Sequence, residues 1–469
     1  MPVPTEKIRF RLICLGALAA ILFFSLELHI QGASRPWTPE YADPKTEITR
    51  HGPIYSFAFS FLNDLEKRHN TPDSRQLREA VDILKSRRKK ISAPSEKMRP
   101  NIILVLMESM GRLAIEAGDG RTVAPFISSL KQGSFYSTRI LSPTRGGNTC
   151  SSEFMTLCSS LPATNGMQKI YSGHMDRSYQ SLASVLGQAD YETLAFHGNS
   201  AGFWNREEAY RQLGFDRYCA KESFDSTSII GLGISDRSFL AQTVKKIKQI
   251  QEPFFSFIVT LSGHAPFPAT KEGIECMKQR FPGIDSDAAR YLSCMQDCDS
   301  ALEDFWNQLG ELRNRSIIIF FGDHSVRMDS ANLPFLGFKI AEDPNKDIFG
   351  YQVPLVIYTP FPIDIPAQTQ GDLSDVAPTL LWMLDLQIPD CFIGQNLFSG
   401  TTAINGRVLH DQDCQVWLLP WGNCVKGIIE ENAASQECVE RLLEEFSAAK
   451  VVRDDIVYGH GFSHQSSSH

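Results

Sequence analysis

The amino-acid sequence predicts an α/β fold in which helices cover both faces of a mostly parallel central sheet. The main observation is a set of four short apolar runs, typical of buried parallel strands, at residues 101–107, 191–196, 255–261 and 316–321. Helical segments alternate with these runs at residues 179–188, 238–248 and 289–309. Strands that alternate with helices build a parallel sheet between helical layers. A later strand is predicted at residues 352–360 and an amphipathic helix at residues 372–384.

Length and composition agree with this class. The chain has 469 residues, enough to bury a large core, and its apolar, charged, Gly and Pro fractions are those of globular proteins. Its net charge of −8 argues against a nucleic-acid binder, because such proteins carry a basic face. Disordered, fibrous and nucleic-acid-binding classes are therefore set aside.

The N-terminal segment carries a localisation signal. An uncharged apolar run at residues 12–26 follows three basic residues, Lys7, Arg9 and Arg11. Its length lies between that of a signal-peptide core and that of a full membrane span. Gln31 occupies a position that a cleavage site would give to a small residue, so we predict an uncleaved single-pass anchor over residues 1–33, with cleavage as the alternative. Basic residues before the span place the N-terminus in the cytoplasm and the remaining chain in the periplasm or outside the cell.

Residues 34–98 are predicted to form a helical linker next to the membrane. Residues 51–69 have an aromatic face and a charged tail, so they either lie in the membrane interface or pack on the main domain. A polar helix follows and ends in a basic run at residues 87–90, which is either a solvated face or a contact for anionic lipid. The remaining predicted domains are a catalytic domain at residues 99–400 and an extension packed on it at residues 401–469.

Cysteine usage agrees with an exported chain. One of the eleven cysteines, Cys14, lies in the apolar run, which leaves an even number outside it. In an oxidising compartment such as the bacterial periplasm, an even set predicts disulfides. Cys294 and Cys298 stand four residues apart, a spacing that a metal site could also use, but no CxxC pair or nearby histidine supports one.

A short stretch at residues 142–162 presents a hydroxyl group at the start of a predicted helix. Its Gly146-Gly147 pair permits a sharp turn just before Thr149. The first turn of a helix offers unpaired N–H groups and a positive dipole end that favour anions, so Thr149 is well placed to attack phosphorus. Such Ser/Thr/Gly clusters are also common in ordinary loops and helix caps.

Carboxylate and imidazole side chains follow two of the predicted strands. Glu108 stands at the end of the first strand, and Asp323 and His324 follow Gly322 at the end of the fourth. In open α/β sheets, ligand sites form outside the carboxyl ends of the strands. An oxygen-rich set with one nitrogen suits Mn²⁺, Mg²⁺ or Zn²⁺, so these residues are candidates for a metal site.

The other two strands end near histidines. His197 directly follows the second strand, and His264 lies in the SGHAPF sequence after the third. Arg206 is close in sequence to His197, and arginine is the usual bidentate partner of phosphate oxygens. These residues are candidates for a substrate pocket, although His264 alone is equally well explained as a capped loop residue.

Taken together, the motifs resemble those of the alkaline phosphatase and sulfatase superfamily, and most closely the lipoteichoic acid synthase type of phosphoglycerol transferase. In family order they are VLMES with Glu108, GGNTCSSEF with Thr149, FHGNSAGFWNR with His197, Trp204 and Arg206, TLSGHAPF with His264, and FGDHS with Asp323 and His324. The resemblance covers about residues 101–398 and implies a sulfatase-like α/β/α sandwich.

The resemblance also implies a role for each of these residues. Ligands of one divalent metal ion, Mn²⁺ or Mg²⁺ with Zn²⁺ as a further option, would be Glu108, Thr149, Asp323 and His324. Thr149 would also be the nucleophile, activated by the metal. The phosphoglycerol pocket would be lined by His197, Trp204, Arg206 and His264, with His264 or His197 as the group that transfers protons.

The implied activity is transfer of glycerophosphate from an anionic phospholipid of the phosphatidylglycerol type to an envelope glycan or polyol-phosphate polymer, through a phosphothreonine intermediate. The family's synthases resemble polytopic proteins with about five spans, whereas this chain has one marginal span. Its exported cysteines suit a Gram-negative periplasm, so a periplasmic glucan or another glycan fits better as acceptor than lipoteichoic acid.

Several alternative functions stay open at this point. A phosphoethanolamine transferase or a phosphodiesterase of the same superfamily is disfavoured, because the sequence has no HxxGSH-like cluster. A sulfatase is disfavoured because Cys150 lacks the CxPxR context that its modification needs. From another class, the chain could be a non-catalytic protein that binds lipid or glycan at the envelope.

Overall fold

The structure is a computed structural model that describes residues 71–88, 99–118, 122–142, 148–161, 170–339, 349–363, 371–399, 406–410, 416–420, 425–426 and 436–458. Nearly all of them belong to one compact unit, formed by residues 72–164 and 169–469. The predicted anchor at residues 1–33 and the linker up to residue 70 lie outside the described residues. Of the helices that the structure describes, none is both long and apolar enough to cross a membrane.

The elements are numbered in chain order. The α-helices are α1 (Ser74–Arg87), α2 (Arg112–Glu116), α3 (Pro125–Ser129), α4 (Thr149–Cys158), α5 (Ile170–Gly173), α6 (Leu182–Gln188), α7 (Arg206–Gln212), α8 (Asp236–Ile247), α9 (Lys271–Arg280), α10 (Ser286–Leu309), α11 (Val376–Met383) and α12 (Gln436–Tyr458). The strands are β1 (Asn101–Met107), β2 (Phe135–Leu141), β3 (Glu192–His197), β4 (Arg217–Cys219), β5 (Ile229–Ile230), β6 (Gly233–Ile234), β7 (Phe254–Val259), β8 (Ser316–Gly322), β9 (Gln352–Tyr358), β10 (Gly406–His410), β11 (Val416–Pro420) and β12 (Val425–Lys426).

A seven-stranded sheet forms the centre of the fold, in the order β2-β9-β8-β1-β7-β3-β4. The five strands from β8 to β4 in this order are parallel to one another. At the other edge, β9 runs antiparallel to β8, and β2 runs antiparallel to β9. The prediction of a mostly parallel sheet is confirmed. Sequence reasoning missed β2, because its FYSTRIL sequence is partly exposed and has no continuous apolar run.

The uniformly apolar sequence of the central strands follows from burial on both faces of the sheet. All seven residues of β1 are buried. Its even-numbered residues 102–106 enter one hydrophobic core, and its odd-numbered residues 103–107 enter a second core. Because successive side chains of a strand point to opposite faces, both sets must be apolar.

Helices cover both faces of the sheet, which confirms the predicted sandwich. Buried apolar side chains of α1, α4, α6, α11 and α12 belong to the core that contains Leu104. Those of α8, α9 and α10 belong to the core that contains Val105. The two layers leave the carboxyl ends of the parallel strands as the edge at which loops can assemble a site.

The disulfides predicted from the even cysteine count are not formed among the described cysteine side chains. Free thiols are found at Cys158, Cys219, Cys276, Cys294, Cys298 and Cys391. Cys150 and Cys158 lie eight residues apart on α4, hence about 12 Å apart along the helix, which is too far for a disulfide. Cys294 and Cys298 are buried in the core on α10, where they pack as small apolar side chains. The prediction was wrong for these residues because the parity of a count carries no information about distance.

Candidate active site

Two neighbouring strands bring Glu108, Asp323 and His324 together. β1 and β8 are parallel and paired in register, with Met107 opposite Gly322. The next residue of each chain segment is therefore Glu108 on one side and Asp323 on the other. Both carboxyl groups leave the sheet at the same edge, as expected for the ends of parallel strands.

These three residues form a metal-type cluster. One ligand atom from each of Glu108, Asp323 and His324 lies within 4.8 Å of the others, and all three side chains are buried. His324 Nε2 is 3.2 Å from Asp323 Oδ2 and 3.5 Å from Glu108 Oε1. Among the described residues, no other group of three His, Cys, Asp or Glu side chains brings its ligand atoms this close together. Cys294 and Cys298 do not take part in this cluster.

The electrostatics of the cluster are those of two carboxylates that share one imidazole. Burial and the nearby charge of Glu108 raise the pKa of Asp323, against the opposing effect of His324. Burial acts to lower the pKa of His324, but the two carboxylates outweigh it and raise this pKa. Burial acts to raise the pKa of Glu108, but the neighbouring imidazole of His324 outweighs this effect and lowers it. Two negative groups thus face a single group that can become positive.

The donor set fits a divalent cation. Asp323 Oδ2 and His324 Nε2 are buried and have no hydrogen-bond partner among the residues that the structure describes, although they lie close together. Buried polar atoms normally have partners, so such a pair requires an explanation. A cation between the carboxylates would use both atoms and would offset their repulsion, and oxygen-rich sets with one imidazole suit Mn²⁺, Mg²⁺ and Zn²⁺.

Hydrogen bonds from three segments fix the position of Asp323. Its Oδ1 atom accepts from the backbone N–H groups of Ser109 and His324, both at 2.8 Å. Its carbonyl oxygen accepts from the hydroxyl groups of Ser142 and Ser152. Because Ser152 lies on α4, the same bonds tie this helix to the end of β8.

Thr149 lies at the first position of α4, against the acidic cluster. Its side chain is buried, with 1% exposure, and its Oγ1 atom donates to Glu108 Oε2 at 3.1 Å. The preceding residue, Asn148, has a left-handed backbone with φ of 79°. The Gly146-Gly147 turn of the sequence analysis lies outside the described residues. The structure thus places Thr149 beside Glu108, 41 residues away in the sequence.

Two glycines allow the strand-end loops to approach one another. A Cβ atom on Gly322 would lie 2.0 Å from the carbonyl oxygen of Met110, and one on Gly263 would lie 2.2 Å from that of Glu108. Both contacts are with backbone atoms, which cannot move aside as a flexible side chain does. Glycine at these positions therefore permits the close packing of the loops after β1, β7 and β8.

His197 lies at the end of β3 as a neutral hydrogen-bond acceptor. Its Nδ1 atom is 3.1 Å from the carbonyl oxygen of Val259, which can only accept, so Nδ1 carries the proton. Burial, together with the charge of Arg206, lowers the pKa of His197 to about 3. Its Nε2 atom is buried and has no hydrogen-bond partner among the described residues.

Arg206 is buried, and a carboxylate compensates its charge. Its Nε and Nη2 atoms donate to Glu153 Oε1 at 3.3 and 2.6 Å. Tyr210 donates to the other oxygen of Glu153 at 2.9 Å. Burial acts to lower the pKa of Arg206, but the Glu153 carboxylate raises it well above its usual value. The guanidinium lies over the ring of Trp204, 5.0 Å from its centroid.

His264 lies in the loop after β7, close to Trp204. It is half-buried, its Nδ1 atom lies 2.6 Å from the carbonyl oxygen of Ala265, and its ring is 6.3 Å from that of Trp204. The buried carboxylate of Asp236 holds this loop by accepting from the N–H groups of Leu261 and Ser262 at 2.8 and 3.1 Å. Burial raises the pKa of Asp236 to about 6.

Sequence reasoning missed two buried carboxylates of this region, Glu153 and Asp236. A signal for Glu153 was present, since it stands four residues after Thr149 and must share its face of the helix. Asp236 offered a weaker signal as the first residue of α8, where acidic residues are common for reasons of helix stability alone.

Comparisons with known proteins agree with this geometry. The model of a protein family described as "Sulfatase" matches residues 100–386. A curated protein, the lipoteichoic acid synthase-like YvgJ of Bacillus subtilis, is 30% identical over 312 residues, which are 64% of this chain and 50% of YvgJ. The chain spans about half the length of the curated relatives it matches.

Two solved structures share the fold. The lipoteichoic acid synthase LtaP of Listeria monocytogenes has a TM-score of 0.63 at 19% identity, and the match covers 81% of this chain and 98% of that chain. The phosphoglycerol transferase GacH of Streptococcus pyogenes, solved with sn-glycerol-1-phosphate, has a TM-score of 0.53 at 17% identity. That match covers 82% of this chain and 92% of GacH.

Proposed function

The chain belongs to the sulfatase family, and from this membership we propose that it is a metal-dependent phosphoglycerol transferase, anchored in the cytoplasmic membrane with its catalytic domain outside the cytoplasm. The observation that carries the proposal is the Thr149 hydroxyl group, 3.1 Å from Glu108 and beside Asp323 and His324. A hydroxyl buried against a metal-type cluster is what a metal-activated nucleophile requires. The similarity to YvgJ supports a transferase rather than another chemistry of the family.

We propose an anionic phospholipid of the phosphatidylglycerol type as the donor. The acceptor would be a hydroxyl group of an envelope glycan or of a polyol-phosphate polymer. GacH, which shares the fold, is a phosphoglycerol transferase solved with bound sn-glycerol-1-phosphate, and this similarity supports phosphoglycerol as the transferred group. The predicted anchor at residues 1–33 would keep the domain close to a lipid donor.

Glu108, Thr149, Asp323 and His324 would bind one divalent ion, Mn²⁺ or Mg²⁺ with Zn²⁺ as the alternative. When bound, the ion would lower the pKa of the Thr149 hydroxyl and offset negative charge on the phosphoryl oxygens. The protein side chains hold this arrangement in place before substrate arrives. Glu108 Oε2 accepts from Thr149 Oγ1 and thereby orients the lone pairs of the threonine oxygen. Four hydrogen bonds to Asp323 fix the position of the second carboxylate.

In the first step, Thr149 Oγ1 would attack the phosphorus atom of the donor. The new bond joins Oγ1 to phosphorus, and the bond from phosphorus to the diacylglycerol oxygen breaks. The hydroxyl proton of Thr149 leaves, and the diacylglycerol oxygen gains one proton. The products are diacylglycerol and a glycerophosphoryl group on Thr149.

In the second step, a hydroxyl group of the acceptor would attack the same phosphorus atom. Its oxygen forms the new bond, the bond to Thr149 Oγ1 breaks, and the acceptor proton replaces the one that Thr149 lost. We assign the proton transfers to His264 rather than His197. His197 has a pKa of about 3, so it has no proton on Nε2 to give to a leaving oxygen near neutral pH.

The remaining pocket residues would bind the phosphoglycerol group. Arg206 would donate to a phosphoryl oxygen, and the ring of Trp204 would pack against the glycerol. His197 Nε2, a buried acceptor with no partner in the described part of the chain, would accept a hydrogen bond from a glycerol hydroxyl group. This set distinguishes a head group with hydroxyl donors from a bare phosphate.

The test is mass spectrometry of the full chain after incubation with phosphatidylglycerol and Mn²⁺. We expect one glycerophosphoryl adduct on the peptide that contains Thr149, and none in a Thr149→Ala control. Phosphatidylethanolamine in a parallel reaction examines the phosphoethanolamine alternative. Absence of any adduct on a protein that demonstrably binds Mn²⁺ would contradict the proposal and favour the non-catalytic binding function.

A further inference from the structure

Glu153 is a completely buried carboxylate that has no part in the mechanism above. It lies on α4, four residues after Thr149, and so on the same face of the helix. Arg206 donates twice to its Oε1 atom, and Tyr210 donates to its Oε2 atom. The carboxylate is therefore held by partners from α7 on both of its oxygens.

The hydrogen bonds of Arg206 are incomplete. A guanidinium group has three nitrogen atoms with five N–H donors in a rigid plane. Nε and Nη2 are used by Glu153, whereas Nη1 is buried and has no partner among the residues that the structure describes. Buried donors of native proteins are nearly always paired, so an acceptor is expected at Nη1, and an oxygen of a bound phosphoryl group would supply it.

Two contacts keep the guanidinium from turning toward another partner. Glu153 binds it along one edge, and the ring of Trp204 lies over its face at 5.0 Å. An arginine held on an edge and on a face presents its remaining edge in one direction. Arg206 is thus preorganised for an acceptor, at no cost in side-chain freedom when that acceptor binds.

Contacts on two sides place Arg206 near the metal-type cluster. The ring of Trp204, over which its guanidinium lies, is 6.3 Å from the ring of His264 in the loop after β7. Glu153, which accepts from Arg206, lies on α4 one turn after Thr149, and the hydroxyl group of Thr149 contacts the cluster. Arg206 and the nucleophile therefore belong to one region of the fold.

We propose that Glu153 is a positioning residue, which holds Arg206 so that Nη1 binds an oxygen of the phosphoryl group transferred to Thr149. The inference rests on the proposed function, because that function supplies the phosphoryl group. It adds a division of labour within α4: the first residue carries the nucleophile, and the residue one turn later sets the direction of the anion-binding group.

The test measures binding of glycerol phosphate to the full chain by calorimetry, together with kcat and KM for phosphatidylglycerol. We expect Glu153→Gln to weaken glycerol phosphate binding and to lower kcat/KM by roughly 10- to 100-fold, the range associated with small misplacements of a positioned group. In an Arg206→Gln background, Glu153→Gln should add little further loss, because the two residues act as one unit. Tyr210→Phe keeps both charges and should give a smaller loss of the same kind.

Glu208→Gln is the matched control. It removes the carboxylate that pairs with exposed Arg211 on α7, the helix that also carries Arg206. This change should leave glycerol phosphate affinity and the reaction rate unchanged. A purely structural role for Glu153 would lower the melting temperature without changing affinity, and would overturn the inference. So would independent, multiplying losses in the double variant. If Glu153→Gln does not fold, Tyr210→Phe decides between the same outcomes.

Failure of the proposed function would look different. A wild-type chain that transfers nothing from phosphatidylglycerol, yet binds glycerol phosphate in a manner that depends on Arg206 and Glu153, would support the inference and contradict the donor. A wild-type chain that binds no glycerol phosphate would overturn the inference directly.

Discussion

The two halves of the candidate site differ in the kind of ligand that their side chains suit. At the ends of β1 and β8, two carboxylates share one imidazole, and Asp323 Oδ2 and His324 Nε2 have no hydrogen-bond partner among the described residues. At the end of β3 and the start of α7, Glu153 already balances the charge of Arg206. Arg206 Nη1 and His197 Nε2 have no partner among the described residues there. The first half thus suits a cation, and the second suits a ligand with an acceptor for the guanidinium and a donor for the imidazole nitrogen.

Because of this difference, the proposed site would hold a metal ion and a phosphate ester side by side. The two carboxylates of the first half face only one imidazole, so their negative charge favours a bound cation. The arginine of the second half is neutralised by a neighbour, so it can stay buried before substrate arrives. Helix α4 joins the halves, because Thr149 contacts Glu108 and Glu153 contacts Arg206.

The largest effect is expected from removing the hydroxyl group that lies between the halves. Thr149→Ala should lower the rate of diacylglycerol release from phosphatidylglycerol by roughly 10⁴-fold or more, since both proposed steps pass through Oγ1. A fluorescent lipid assay measures this rate. Thr149→Ser retains a hydroxyl group and should keep measurable activity. Equal rates for wild type and Thr149→Ala would remove Thr149 from the mechanism.

A second prediction concerns the paired charge of the second half. Arg206→Met leaves Glu153 buried without its cation, so the free energy of unfolding should fall by about 3–5 kcal/mol. Urea denaturation measures this change. Arg211→Met breaks an exposed pair on the same helix and should produce no measurable change. Similar losses in both variants would mean that the burial of Arg206 does not matter.

A third prediction tests the close packing of the first half. A Cβ atom in Gly322→Ala would lie 2.0 Å from the Met110 carbonyl oxygen, so the loops after β1 and β8 must separate. We expect a loss of about 1–3 kcal/mol in unfolding free energy, and weaker Mn²⁺ binding by calorimetry. Gly187→Ala, whose Cβ would have only an ordinary contact at 4.0 Å, should be neutral or slightly stabilising. Unchanged Mn²⁺ affinity in Gly322→Ala would show that the loop packing at Gly322 does not affect metal binding.

The smallest change in unfolding free energy at neutral pH is expected for His197→Gln, whose effect appears mainly in acid. Its pKa is about 3 in the folded chain, below the ordinary value of 6.5, so the unfolded chain binds a proton that the folded chain does not. The stability contributed by neutral His197 is therefore present above pH 6.5 and is lost as the pH falls toward 3. His197→Gln should show a shallower loss over this window in acid-dependent urea denaturation. Parallel curves for the two proteins would contradict the neutral, buried imidazole.

Much of the first half could be predicted from the sequence. Glu108 and the Asp323-His324 pair each end an apolar run, and the rule that parallel strands present their carboxyl ends at one edge brings them together. The second half was harder. Arg206 and His197 stood out by residue type, but the partner of Arg206 is 53 residues away and gives no local pattern. The disulfide prediction was wrong for a related reason, because the number of cysteines carries no information about the distances between them.

The fold class and the strand ends follow from the amino-acid pattern alone, because strands buried on both faces must be continuously apolar and the polar residues that end them are conspicuous. Which polar atoms are paired with one another depends on the folded chain. Pairing depends on contacts between segments far apart in the chain, as when Ser142 and Ser152 fix Asp323 and Glu153 fixes Arg206. Hydrogen bonds form over about 3 Å in space, and no sequence pattern records that distance for residues brought together by packing.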